Sequence, residues 1–143
     1  MKTIFILLFV MLSIGINAQN WHNNFEEAKA EALKENKKIL LVFQGTDWCA
    51  PCIKLEKDVW ETEVFKSYAK AKFVLVKAEF PRKKKNALPT EQQEKNNKLA
   101  EKYNSKGYFP LVVVFNSKGK VIGETGYKKL SPEDYIKHLE TLN

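Results

Sequence analysis

The sequence predicts an α/β fold, a central mixed β-sheet flanked by helices in three layers. Three observations predict it. The runs Ile39-Leu40-Leu41-Val42-Phe43 and Leu111-Val112-Val113-Val114-Phe115 are continuously apolar, as strands buried on both faces are. Helix-period stretches alternate with the first strands, which calls for crossover connections. The chain then closes with a hairpin signal and a helix, which brings antiparallel strands into the same sheet. Of the 143 residues, 44% are hydrophobic and 29% charged, with no internal repeat or linker; that is a globular balance suited to one domain.

At the N-terminus, Lys2 precedes a 13-residue apolar run over residues 4–16, and Ala18 offers a small residue for cleavage. A signal-peptide core takes about 7–15 apolar residues, whereas a membrane span takes about 20. Residues 1–18 are therefore read as a signal peptide and residues 19–143 as the folded domain, with no membrane span in the mature protein. Maturation at Gln19 leaves 125 residues and lowers the net charge from +7 to +6, because the leader carries Lys2 and no acid. A domain of that size buries about two-thirds of its unfolded surface and does not need a disulfide to fold.

Residues 19–23 read as a short polar leader. Asn24 is an N-cap with Glu27 three residues on, a capping-box pattern, and Phe25, Ala28, Ala32 and Leu33 fall at helical spacing up to about Asn36. Residues 38–44 form a central strand, and Gly45-Thr46-Asp47 is the turn after it. A helix starts near Cys49, with Pro51 tolerated in its first turn, and runs to about Val59. Thr62 caps a further segment bearing Val64, Phe65 and Tyr68. Residues 73–79 are the next strand, and the proline-bounded residues 81–89 are an exposed loop. Thr90 restarts a helix with the stripe Leu99, Ala100 and Tyr103. Pro110 heads the strand 111–115, and Asn116-Ser117-Lys118-Gly119 turns it into strand 120–124. Ser131-Pro132-Glu133-Asp134 opens the last helix, whose apolar face is Tyr135, Ile136, Leu139 and Leu142.

The chemistry is concentrated in Trp48-Cys49-Ala50-Pro51-Cys52, which holds both cysteines. They lie where a strand hands over to a helix, and a helix N-terminus favours thiolate over thiol. In this arrangement the first thiol is exposed and attacks a disulfide, and the second lies one turn in and resolves the product. Two alternatives stay open. A structural disulfide is one, although a loop this short gains little from closure. Zinc is the other, although it wants four ligands and only His22 and His138 remain as soft donors. No metal or organic cofactor is expected. The excess charge is mostly lysine, and the run Arg82-Lys83-Lys84-Lys85 carries no interleaved aromatics and belongs to no nucleic-acid module. Nucleic acid is therefore not expected as a partner; the run reads as a solvated face, with docking of a partner as its alternative.

The apolar strand, the Trp-Cys-x-Pro-Cys motif and a proline heading a hydrophobic strand together resemble the thioredoxin superfamily, over essentially the whole mature chain. Asp47-Trp48-Cys49 and the extended middle segment resemble exported bacterial thioredoxin-like proteins, similar to the C-terminal thioredoxin-like domain of the membrane reductant conductor DsbD. The resemblance implies a thioredoxin-like three-layer fold. It implies a cis Phe109–Pro110 bond that turns backbone groups towards an added substrate strand, with Trp48 flanking the reactive sulfur. Phe109 departs from the smaller residue common in the family, which would narrow the groove or add an apolar contact. Many thioredoxins also carry an acid six residues before the first cysteine, beneath the second; here Phe43 stands there. Glu56, four residues after Cys52 and on the same helix face, is the substitute, with Glu79 a weaker one and a surface ion pair the alternative for Glu56. Asp47 is expected to raise a neighbouring thiol pKa by repulsion.

The expected activity is therefore exported thiol–disulfide exchange, with Cys49 as nucleophile, Cys52 and Glu56 assisting, and Trp48, Phe109 and Pro110 forming the docking edge. The pair Ala50-Pro51 lacks the histidine that strongly oxidising members carry, so the reading leans to a disulfide reductase. Partners would be protein thiols and disulfides and a membrane thiol electron donor. The location is expected to be periplasmic and the chain monomeric. The alternative is a non-catalytic binding or chaperone-like module with a structural Cys49–Cys52 disulfide.

Overall fold

The computed structural model describes residues 19–142; the expected signal peptide, residues 1–18, lies outside them. The elements are β1 (Trp21–His22), α1 (Phe25–Glu35), β2 (Lys38–Gln44), α2 (Ala50–Leu55) continued by a π-helical turn (Glu56–Trp60), α3 (Glu63–Lys72), β3 (Phe73–Glu79), a 3₁₀ turn (Lys84–Asn86), α4 (Thr90–Tyr103), β4 (Leu111–Phe115), β5 (Val121–Thr125) and α5 (Pro132–Glu140). The five strands form one mixed sheet in the order β1-β3-β2-β4-β5. β3 runs parallel to β1 and β2, while β4 is antiparallel to β2 and β5.

β2 is central because every residue from Ile39 to Gln44 is buried. Its period-2 alternation divides the core. Leu40 and Val42 meet Leu55, Val59, Trp60, Phe65, Tyr135 and Leu139 on one face. Ile39, Leu41 and Phe43 meet Phe25, Ala28 and Ala32 of α1 on the other, with Leu99 and Tyr103 of α4 packed against them. The layers are thus α2, α3 and α5, then the sheet, then α1 and α4.

Caps account for most helix boundaries. Asn24 Oδ1 accepts the backbone N–H groups of Glu26 and Glu27, and Asn36 closes α1 in the left-handed region at φ 52°, which asparagine tolerates. Thr62 and Ser131 accept N–H groups from Phe65 and Asp134. α4 begins at Thr90, as read from the sequence, with Pro89 as an N-cap that makes no side-chain bond.

Three differences from the sequence reading have physical causes. β1 was read as leader because two residues carry no periodicity; it is held as an edge strand by parallel pairing of Trp21 and His22 with Leu75 and Val76. Leu33 was assigned to the α1 stripe but is 63% exposed, since it lies one position past the Phe25–Ala28–Ala32 line. The helix after the motif does not stay α-helical to Val59. It widens at Glu56, and this extra residue per turn brings Val59 and Trp60 together into the core.

Candidate active site

The turn between β2 and α2 positions the cysteines. The backbone N–H groups of Trp48 and Cys49 both donate to Gly45 O, at 3.2 and 2.8 Å. Gly45 is required there: a Cβ would lie 2.1 Å from Trp48 Nε1. The indole is fixed in turn by donating to Phe80 O at 2.7 Å. Gly45→Ala is therefore expected to expel the indole and lower stability by about 1–3 kcal/mol, the cost of overpacking a filled site. Urea denaturation, together with loss of the protected Trp48 indole N–H signal in NMR spectra, would check this; an unmoved signal contradicts it.

Cys49 is the N-cap of α2, with extended backbone (φ −94°, ψ 99°), and its Sγ accepts the Cys52 N–H at 3.3 Å. Cys49 and Cys52 are joined by a disulfide, with Cα atoms 5.2 Å apart. The sequence reading placed the first thiol at the surface. In the disulfide both residues are buried, Cys49 at 3% and Cys52 at 1% exposure, because capping folds the Cys49 side chain back onto the helix end instead of out into solvent. A sulfur facing the N–H groups of a first helical turn is stabilised as thiolate once the bond is reduced.

On one side of the pair, Trp48, Phe80, Pro81, Arg82, Gly107 and Phe109 line an open groove. The Phe109 ring lies 5.4 Å from both Trp48 and Phe80, edge-on to each, and Phe80 reaches buried Phe43 at 6.4 Å. The Phe109–Pro110 peptide is cis and Pro110 is buried. Buried Asn104 holds the approach to this wall: its Nδ2 donates to Tyr108 O and its Oδ1 accepts the Tyr108 N–H. Nothing in the sequence distinguished Asn104 from an ordinary loop asparagine.

On the other side, Glu56 sits one turn after Cys52, and its carboxylate takes the Lys77 ammonium at 2.6 Å. Glu79 accepts from Gln44 Nε2 and from Thr46 Oγ1 at 3.2 Å, so it braces the turn that leads to the motif. Buried Asn96 ties α4 to the end of that strand by donating to Glu79 O at 2.9 Å. The sequence reading did not single it out; its spacing of three, four and seven residues from Leu99, Ala100 and Tyr103 is the signal that places it on their face. Position 43 requires a correction. Phe43 faces α1 and α4, on the opposite side of the sheet from Leu55 of α2. The buried polar residue on the α2 side of β2 is Gln44, one residue on.

Asp47 is bound by the loop that follows β3. Its carboxylate accepts the backbone N–H groups of Arg82 (3.0 Å) and Lys83 (2.9 Å) and the amide of Asn86 (3.0 Å). These bonds, the Arg82 N–H first among them, hold its pKa down from 3.8 to about 2. The loop thus keeps the carboxylate ionised beside the motif. A depressed folded pKa means that the contribution is complete above pH 3.8 and is lost as pH falls through about 2. Asp47→Ala is thus expected to be less stable than wild type at neutral pH, with the two urea midpoints converging as the pH approaches 2. A gap that stays constant with pH contradicts this.

With this geometry in place, comparison with known proteins is informative. The family model described as Thioredoxin-like matches residues 20–117. The chain belongs to this thioredoxin-like family. This thioredoxin-like chain carries its Cys-x-x-Cys pair at the start of the helix that follows the central strand. It is 30% identical over 118 residues to the disulfide bond reductase DsbH of Chlamydia pneumoniae, covering 82% of this chain and 69% of that protein. A solved DsbH oxidoreductase structure superposes with a TM-score of 0.78 at 29% identity, covering 86% of this chain and 83% of that one. The oxidised C-terminal domain of DsbD from Neisseria meningitidis shares the fold, with a TM-score of 0.58 at 18% identity over 87% of this chain and 100% of that one. Among the described residues, no helix is long and apolar enough to cross a membrane, and no three His, Cys, Asp or Glu residues are grouped to hold a metal ion.

Proposed function

We propose that this thioredoxin-like protein is a thiol–disulfide oxidoreductase that acts as a disulfide reductase outside the cytoplasm. The observation that carries the reading is the Cys49–Cys52 disulfide at the α2 N-cap, with Sγ of Cys49 facing the first-turn N–H. In the reduced protein the Cys49 thiolate attacks a substrate disulfide; one substrate sulfur leaves as a thiol, and a mixed disulfide forms. Cys52, deprotonated as it attacks Cys49 Sγ, releases the second substrate sulfur. Two electrons and two protons have then passed to the substrate, and the Cys49–Cys52 bond is restored.

The other sequence-derived assignments fit this cycle. Phe109 and Pro110 offer a backbone edge beside the groove on which a substrate segment adds as a strand. Glu56, one turn from Cys52, is the candidate acceptor of its proton, with Lys77 holding the carboxylate. The lack of histidine between the cysteines and the similarity to DsbH favour the reducing direction. The apolar run over residues 4–16 favours export to the periplasm. Regeneration there requires a dithiol donor, for which a membrane thiol relay is the fitting class.

The test is insulin reduction with dithiothreitol as donor, together with titration of the pair against defined dithiothreitol ratios. A reductase turns over insulin and shows a potential well below that of strong oxidants such as DsbA, about −120 mV. The burial of Cys49 is equally what a locked structural disulfide would have. That second reading requires a pair that cannot be cycled and no turnover of insulin.

A further inference from the structure

We propose that the basic segment Arg82–Lys85 is a substrate-selecting wall, so that the protein prefers polypeptides whose reacting cysteine is flanked by acidic side chains. The inference rests on the exchange function proposed above and adds the class of substrate.

The loop is fastened to the motif. Asp47 holds it through the Arg82 and Lys83 N–H groups and the Asn86 amide. Trp48 holds its start through Phe80 O, and the Arg82 guanidinium lies 3.6 Å above the indole ring. The two residues immediately before Cys49 thus fix where four consecutive cations stand. A solvated loop would not need two anchors at the reactive turn.

Among the described residues, the side-chain ion pairs within 4 Å involve none of Arg82, Lys83, Lys84 or Lys85, and no acid occurs between Phe80 and Thr90. The Asp47 carboxylate accepts the loop's own N–H and amide donors and feels the Lys83 charge alone among the four. Lys83, Lys84 and Lys85 are exposed. Across the groove, exposed Lys106 adds a further cation next to Gly107. The opposite side of the motif carries both signs, with Glu56, Glu61 and Glu79 beside Lys57 and Lys77, the last paired with Glu56. A bound segment therefore meets an unbalanced cluster of cations on the groove side and mixed charge on the other. Clustered cations beside a cleft raise encounter rates with anionic ligands by about tenfold or more, and the gain falls with salt.

The experiment uses the described domain with dithiothreitol as donor and three peptide disulfides, whose single cysteine is flanked by glutamates, glutamines or lysines. Rates are divided by those of dithiothreitol alone, and the comparison is between wild type and the triple variant Lys83→Gln, Lys84→Gln, Lys85→Gln. Arg82 is left in place because it stacks on Trp48. Wild type is expected to favour the glutamate peptide over the glutamine peptide by about tenfold at low salt, the preference shrinking as salt rises. The triple variant is expected to lose that preference while its rate on the glutamine peptide stays the same. Equal wild-type rates on all three peptides, or a triple variant slowed equally on all three, overturn the inference. Fluorescence anisotropy with a labelled glutamate peptide whose cysteine is replaced by serine separates this from the exchange reading. Loop-dependent binding without any exchange would sink the reductase and leave the acidic-ligand surface standing. Exchange without acid preference would do the reverse.

Discussion

Cys49→Ala is expected to abolish insulin reduction, a loss on the order of 10³-fold or more, because the attacking thiolate has no substitute. The chain contains two cysteines, and Cys52 is 1% exposed behind the first helical turn. Cys52→Ala should behave differently. Its Cys49 keeps the helix-end environment and attacks once, but the mixed disulfide then has no internal thiol to break it. A single stoichiometric burst of thiol release should appear, followed by a covalent adduct visible on non-reducing gels and by mass spectrometry. The pairing of outcomes matters more than either alone. If Cys52→Ala lost the burst while Cys49→Ala kept it, the order of attack assigned here would be reversed. If both variants reduced insulin like wild type, the motif would not be the reacting group.

The second large effect concerns the base under the motif. Trp60 is fully buried, and its ring meets Trp21 at 6.0 Å, Phe65 at 4.6 Å and Tyr135 at 5.4 Å. It thereby joins β1, α3 and α5 beneath the helical segment that begins at Cys49. Trp60→Ala is expected to cost about 3–5 kcal/mol, the range for removing a large aromatic from a packed core. Typical domains have only about 5–15 kcal/mol in hand, so the urea midpoint should fall sharply while the slope of the transition stays the same. Trp60→Phe keeps a ring in the cluster and should cost less, on the order of 1–2 kcal/mol. Equal losses for both variants would show that the cavity is not what matters and that the indole has a role of its own.

Much of this architecture was legible in the residues because it is written in burial. β2 and β3 were found at residues 38–44 and 73–79 because an unbroken apolar run has one economical home, the middle of a sheet. The Asn24, Thr62 and Ser131 caps were readable because a short polar side chain before a helix satisfies N–H groups that nothing else reaches. What stayed hidden depends on partners distant in sequence. Two residues of β1 become a strand only when β3 lies beside them. Asp47 reads as a charge next to a thiol until the loop 35 residues later folds over and takes its oxygens. Phe43 was placed beneath Cys52 by family analogy, whereas the strand's alternation turns it to the other face and leaves Gln44 on the α2 side. Offsets counted from a motif carry no face with them; the pleat does.

The three tryptophans have an optical consequence. Partly buried Trp21 packs edge-on against core residue Trp60, whereas Trp48 precedes Cys49 directly and stands in the groove wall. A disulfide quenches the emission of a neighbouring indole, and its reduction relieves that quenching. Intrinsic fluorescence should therefore carry two separable signals: a Trp48 component that follows the redox state of the pair, and a Trp21–Trp60 component that follows unfolding. Trp48→Phe would leave the second signal and remove the first. With Trp48 in place, the protein would report its own oxidation state without a label.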